Sequence, residues 1–248
     1  GWVGCAARVD LDGINVHRTG GRYTFLFAAV GYYLRHLSHE SFDVVVEDLN
    51  KVPLFTPCWT RSNIVLLVHH LFGLTAFEEA GIPIASATWL LERPIPWIFS
   101  NTPTIAVSES TKKDLVKRGF HPEQIKVIPN GIDLDSFTEI TPATASELDF
   151  DAIPPLLTFV GRLHVQKGVD LLVANAKSIL QACPQHHIAI VGDGPCKQDM
   201  QRRIIDSGLE QRVHFYGYRA DAAGILKASQ LLLFPSRWEG MPNVVIEA

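Results

Sequence analysis

Four cysteines, Cys5, Cys58, Cys183 and Cys196, are scattered along the 248 residues without one CxxC pair. That spacing lacks the signature of a disulfide framework or a zinc site, so free, partly buried thiols in a reducing compartment are expected. No apolar run approaches the ~20 residues that a spanning helix needs. Gly1-Trp2-Val3-Gly4 is not a basic-then-apolar leader. The expected location is cytoplasmic, with room for peripheral attachment at the inner face of a membrane. Charge of one sign is also missing: 26 acidic against 22 basic side chains give a formal charge of -4. This balance argues against a general nucleic-acid surface but leaves local Arg and Lys able to hold a phosphate. There is no G-x-G-x-x-G fingerprint, no Walker A sequence and no H-E-x-x-H, which removes support from dinucleotide, P-loop and catalytic-zinc chemistry.

What is present is hydrophobic residues, 47% of the chain, enough for one large core or two smaller ones. Short β-rich runs alternate with longer helical patterns. Strands are expected at 14–18, 43–47, 64–69, 104–107 and 126–128, then at 156–160, 188–191, 213–216 and 231–234. Helical patterns fill 23–37, 108–118, 168–181, 195–208 and 220–229. Ser108 or Ser110 can cap the second of these and Gly119 can stop it. Pro83, Pro94, Pro96 and Pro103 exclude one long helix over 81–103. Near-continuous apolar strands with crossover helices make an α/β chain of doubly wound parallel sheets, with ligands expected beyond the C-terminal strand ends. Two Rossmann-like lobes follow: 1–137, then a polar, Pro-containing linker over 138–155, then 156–248. The last element, opening near Pro242, is shorter than the ~11 residues of an average helix, so both lobes read as incomplete at the outer ends.

Three segments carry chemistry. Gly161-Arg162-Leu163-His164-Val165-Gln166-Lys167-Gly168 follows the first strand of the second lobe. Arg162 offers a planar fork of donors and Lys167 a mobile ammonium, and two cations beside a helix start suit a diphosphate. Two ordinary surface cations remain the competing reading. Gly192-Asp193-Gly194-Pro195 ends the next strand; it either shapes a nucleotide pocket or makes a plain turn, with Pro195 suited to the first helical position. Glu239-Gly240-Met241-Pro242-Asn243 leads to Glu247. Backbone N–H groups around Gly240, Met241 and Asn243 can face anionic oxygens, and carboxylates accept from sugar or ribose hydroxyls. In the first lobe, Val68-His69-His70 closes a strand, where either imidazole can face a ligand or sit as an ordinary histidine. Pro129-Asn130-Gly131-Ile132-Asp133 reads mainly as a turn, with direct donor contact the lesser alternative, and Gly20-Gly21-Arg22 mainly as a loop, with anion binding near a helix start the alternative.

The combination resembles the large retaining glycosyltransferase family numbered four, of two-lobed GT-B fold. Its members carry a G-R-…-K-G segment, a G-D-G-P turn and an E-x7-E motif beginning E-G-x-P-N. Gly161-Arg162 with Lys167-Gly168, Gly192 to Pro195, and Glu239 to Glu247 match in order. Glu47-Asp48-Leu49-Asn50-Lys51-Val52-Pro53-Leu54-Phe55-Thr56-Pro57, Glu92 and Ser108-Glu109-Ser110-Thr111-Lys112 resemble a bacterial branch of it. The resemblance implies that Arg162 and Lys167 hold the donor diphosphate. It places Glu239 near the transferred sugar, Glu247 near the nucleotide ribose, and His69, with His70 in reserve, near the reaction centre. Gly161, Gly192, Asp193, Gly194, Gly240, Met241, Pro242 and Asn243 would line the donor site. A sugar nucleotide is then a substrate, with no cofactor and no essential metal. The acceptor would be a glycan, a lipid-linked glycan or a small molecule, with no nucleic-acid partner. An epimerase or phosphorylase of similar fold, or an inactive sugar-nucleotide-binding module, are the alternatives.

Overall fold

The structure is a computed structural model that describes residues 4–21, 24–49, 52–71, 73 and 81–248. Gly1, Trp2, Val3, Arg22, Tyr23, Asn50 and Lys51, on which parts of the sequence reading fall, lie outside the described residues. The chain divides into two compact units, Gly1–Pro129 and Asn130–Ala248.

The first unit opens with an antiparallel hairpin of β1 (Arg8–Leu11) and β2 (Ile14–His17). Asp12 and Gly13 form its turn with φ of 54° and 83°, the backbone that an Asp-Gly pair favours between strands. Helix α1 (Phe25–His36) leads to a parallel sheet in the order β3 (Val45–Leu49), β4 (Ile64–Val68), β5 (Thr104–Ala106), β6 (Ile125–Val127). The strand expected at 43–47 starts two residues later, because Val45 pairs with Ile64 and Leu49 with Val68. Pro94 separates α2 (Ile82–Glu92) from α3 (Ile95–Ile98), as the proline spacing requires. Helix α4 (Glu109–Lys117) is capped by Ser108, whose Oγ accepts from the Thr111 amide at 3.1 Å. Leu49, Leu66, Val68, Phe99, Ala106 and Leu115 form this unit's core.

The second unit holds α5 (Leu134–Glu139) and a parallel sheet of β7 (Leu156–Val160), β8 (His187–Val191), β9 (Val213–Gly217) and β10 (Leu231–Leu232). Side chains alternate across a strand, and here each face has its own core. Ile188 and Ile190 of β8 meet Leu172, Ala176 and Leu180 of α6 (Val169–Ala182) and Met200 and Ile204 of α7 (Lys197–Asp206). Ala189 and Val191 instead pack with Ala143, Leu148 and Ile225, the last on α8 (Ala222–Lys227). Burial on both faces is why these strands read as unbroken apolar runs. Residues 138–155, read as a linker, thus contribute two buried side chains to the second core. Pro195, expected as the first helical residue, lies in a turn before Cys196, the residue that caps α7. The Cys196 amide donates to Leu163 O at 3.0 Å, so the helix starts after a loop already tied to the preceding strand exit. Asn243–Glu247 forms the final helix, α9.

Candidate functional site

Strand order in the second sheet is β10-β7-β8-β9. The chain therefore winds one way from β7 through β9 and returns to the other side of β7 for β10. A reversal of this kind opens a crevice at the carboxyl ends of the two strands where the winding direction changes, β7 and β10, and doubly wound proteins bind ligands there. The loop 161–168 leaves β7 at that point, and 233–242 leaves β10. Glycine lets the loops close on one another. Gly168 has φ of 68°, and a Cβ there would lie 2.0 Å from Pro235 O. Gly192 has φ of 140°, and its Cβ would lie 1.9 Å from Gly161 O. Neither position accepts any other residue without moving backbone. Further ties bind the β8 exit to the β7 exit: Leu163 N donates to Asp193 O at 3.0 Å, and Gly161 N to Val191 O at 3.0 Å.

On this frame the side chains converge. Lys167 Nζ donates to Glu239 Oε1 at 2.6 Å, and Ser236 Oγ donates to the same oxygen at 2.8 Å. Both charged groups are mostly enclosed, the Lys167 side chain 28% exposed and Glu239 18%. Among the described residues Glu239 Oε2 has no donor, and the ammonium retains two further N–H groups. Arg162 is exposed at the β7 exit, and no described residue pairs with its guanidinium. Arg237 fastens the two loops from the outside. Its guanidinium makes two bonds of 2.8 Å to the Asp170 carboxylate at the start of α6 and a third to Val165 O, while its amide donates to Gln166 O at 2.9 Å. The Arg237 hydrogen bonds hold the Asp170 carboxyl below its ordinary value of 3.8. Asp193 is likewise lowered, chiefly by the Lys197 ammonium at 2.9 Å and then by the Gly194 amide.

Loop 240–243 is anchored by one residue far away in sequence. Asn130 donates from its backbone to Met241 Sδ at 3.2 Å, and from Nδ2 to Met241 O at 3.3 Å and Asn243 Oδ1 at 3.0 Å. The backbone N–H groups of Gly240, Met241 and Asn243 have no acceptor among the described residues. Pro242 precedes the first turn of α9 and Glu247 closes that helix.

In the first unit, His69 follows β4, and its Nε2 lies 3.3 Å from Asp48 Oδ1 on β3. Its carbonyl accepts from Thr111 Oγ1 at 3.0 Å, so the start of α4 fixes the strand exit. His70 is partly buried beside it. Glu47 is 3% exposed and accepts from Leu54 N, Thr56 N and Thr56 Oγ1 at 2.6, 2.9 and 2.7 Å. It organises the Pro-containing loop that follows β3. Glu92, 6% exposed, receives Gly73 N at 2.7 Å and Arg118 Nη1 at 3.3 Å, tying down the chain beyond His70.

Lys167 and Glu239, expected from the sequence at the diphosphate and at the transferred sugar respectively, are in direct contact, and backbone hydrogen bonds join the loop after Gly161 to the loop of Gly192, Asp193 and Gly194. His69 belongs to the other unit. Sequence reasoning passed over the Arg237–Asp170 clamp and the reach of Asn130. An acid in the first turn after Lys167-Gly168 was the available signal for the clamp. Asn130, flanked by Pro and Gly, carried the marks of a local turn and none of a tether to residue 243.

A family model described as Glycosyltransferase Family 4 matches residues 5–136, and one described as Glycosyl transferases group 1 matches 154–248. The chain is 35% identical over 225 residues to the Escherichia coli UDP-Gal:alpha-D-GlcNAc-diphosphoundecaprenol alpha-1,3-galactosyltransferase, covering 86% of this chain and 56% of that protein. Two further relatives are covered over 38% and 37% of their lengths, so the chain spans about half or less of each. Among solved structures, Anabaena Alr3699/HepE in complex with UDP-glucose aligns with a TM-score of 0.67 at 21% identity, over 92% of this chain and 62% of that one. Sucrose-phosphate synthase from Thermosynechococcus elongatus aligns with a TM-score of 0.74 at 16% identity, over 99% and 66%. At such identities the likeness concerns fold, an α/β Rossmann-like arrangement of GT-B type.

Proposed function

The chain belongs to the family 4, group 1 glycosyltransferases, and from that premise we propose that it serves transfer of a sugar from a nucleoside-diphosphate donor to an acceptor hydroxyl, with retention of anomeric configuration. The observation that carries this reading is the Lys167–Glu239 contact at the switch point of the second sheet, on the loop that also carries the exposed Arg162. A diphosphate in the crevice would accept from Arg162, from the spare N–H groups of Lys167 and from the amides of Gly240, Met241 and Asn243. Glu239 Oε2 would take a sugar hydroxyl, while Oε1 keeps the lysine aimed. Asp193, Gly161, Gly192 and Gly194 would shape the floor, Pro242 would set the last turn before α9, and Glu247 would serve the ribose.

In the reaction, the bond from the anomeric carbon to the diphosphate oxygen breaks with its electron pair going to the phosphate. The acceptor oxygen bonds to the same face of that carbon, and its proton passes to the departing phosphate. Fixed positive groups stabilise the leaving charge without having to reorganise at the moment of transfer. Glu239 would orient the sugar and offset the positive character of its ring. Side chains supply the compensating charge, so no essential metal and no cofactor belong to this reading.

The E. coli relative is named for UDP-Gal and the Anabaena protein is solved with UDP-glucose, so UDP-hexoses are the donors to try first. The acceptor would be a glycan, lipid-linked or free, or a small hydroxylated molecule. Lipid-linked acceptors would bring a cytoplasmic enzyme to the inner face of a membrane; no helix among the described residues is long and apolar enough to cross one. The test is donor screening of the full-length protein, with NMR assignment of the product's anomeric configuration. Arg162→Ala is expected to lower kcat/KM for transfer by about 10²–10³. Unchanged turnover in that variant, or an inverted product, would overturn the assignment.

A further inference from the structure

The Pro129-Asn130-Gly131 segment has the composition of a turn, yet Asn130 spends its donors elsewhere. Its backbone amide meets Met241 Sδ at 3.2 Å, and its side-chain amide meets Met241 O at 3.3 Å and Asn243 Oδ1 at 3.0 Å. Two of these acceptors lie in the loop between Glu239 and α9 and the third on Asn243, the first residue of α9. The N–H groups of Gly240, Met241 and Asn243 have no acceptor among the described residues. An outside anchor that grips carbonyl and side chain together fixes the direction of the loop amides.

We infer that Asn130 is a positioning residue for nucleoside-diphosphate binding, acting through the 241–243 loop without touching the ligand. The inference rests on the donor-site reading above. Its chemistry requires a donor at Nδ2, which separates it from a turn residue. Turns tolerate Gly and Asp as well as Asn, so Asn130→Gly and Asn130→Asp preserve a turn while removing the side-chain donor. A residue that served the turn alone would be replaced by either without loss.

The experiment titrates UDP, GDP and ADP calorimetrically into the full-length protein and carries the tightest forward. Asn130→Gly is expected to weaken its binding roughly tenfold, the scale of the hydrogen bonds removed. Donor KM should rise in parallel, with the acceptor KM and melting temperature near those of the parent. Asn243→Ala removes one of the two Nδ2 acceptors and should cost less. Combined with Asn130→Gly it should add little, because the tether is already gone. Asn130→Asp should bind at least as weakly as Asn130→Gly, and it replaces that variant if the glycine form does not fold. Parent-like affinity in Asn130→Gly or Asn130→Asp, or full additivity with Asn243→Ala, would overturn the inference. A parent protein that binds none of the three diphosphates would instead sink the donor-site reading itself.

Discussion

Gly192 shows how much of the site is decided by the absence of one carbon. At φ of 140°, its missing Cβ would sit 1.9 Å from the Gly161 carbonyl oxygen. No rotamer change can relieve that overlap, because the obstacle is backbone. Gly208, at the end of α7, also has positive φ, 66°, but has open space around it. An alanine at Gly208 bears the left-handed penalty alone, about 1–2 kcal/mol. At Gly192 it must also separate the exits of β7 and β8, at a cost of about 3 kcal/mol or more. Urea melts of Gly192→Ala and Gly208→Ala compare the two. Equal losses would mean that the strand exits yield freely, and that the close approach does not hold the loop surface together.

Elements meet at this site through the Arg237–Asp170 clamp, which joins the loop after β10 to the start of α6. A two-pronged guanidinium–carboxylate pair with both side chains about a quarter exposed contributes about 1–2 kcal/mol. Arg237 depresses the Asp170 carboxyl from 3.8. Its contribution is therefore complete above that value and fades as the pH falls through the lower folded one. The stability gap between the parent and Asp170→Asn should be constant from neutral pH to about pH 5, then narrow below pH 4. A gap that narrows instead as the pH rises would remove the clamp from the account. The same elements show what the sequence makes legible. Apolar runs located β7 and β8 because both faces of those strands are buried, and the prolines located the break between α2 and α3. The hairpin partner Arg8–Leu11 went unread, since its side chains are largely exposed and its polar–apolar alternation spans only four residues, although Asp12-Gly13 has the composition of a hairpin turn. Lys167 and Glu239 stood out as motif members. Their contact, and the grip of Asn130 on residues 241 and 243, arise from strand order, which local sequence does not encode.

At the scale of the whole molecule, each unit has its own core: Leu66 lies at the centre of the first, and Leu172 packs α6 onto the second sheet. Replacing either leucine with alanine should cost about 2–5 kcal/mol, in its own unit. Calorimetry of the full-length protein should then assign two transitions, one lowered by Leu66→Ala and the other by Leu172→Ala. UDP provides the functional label. Every group proposed to hold its diphosphate, Arg162, Lys167 and the 240–243 amides, belongs to Asn130–Ala248. A ligand that binds a folded unit stabilises it by about 2.7 kcal/mol at a hundredfold excess over Kd. UDP should accordingly raise the transition that Leu172→Ala lowers and leave the other in place, and Arg162→Ala should diminish that rise. If UDP lifted the Leu66 transition instead, the diphosphate would sit on the first sheet and the roles given to Arg162 and Lys167 would fail together. One transition moved alike by both alanine substitutions would show that the two cores melt as one, because their coupling would then exceed the stability of either alone.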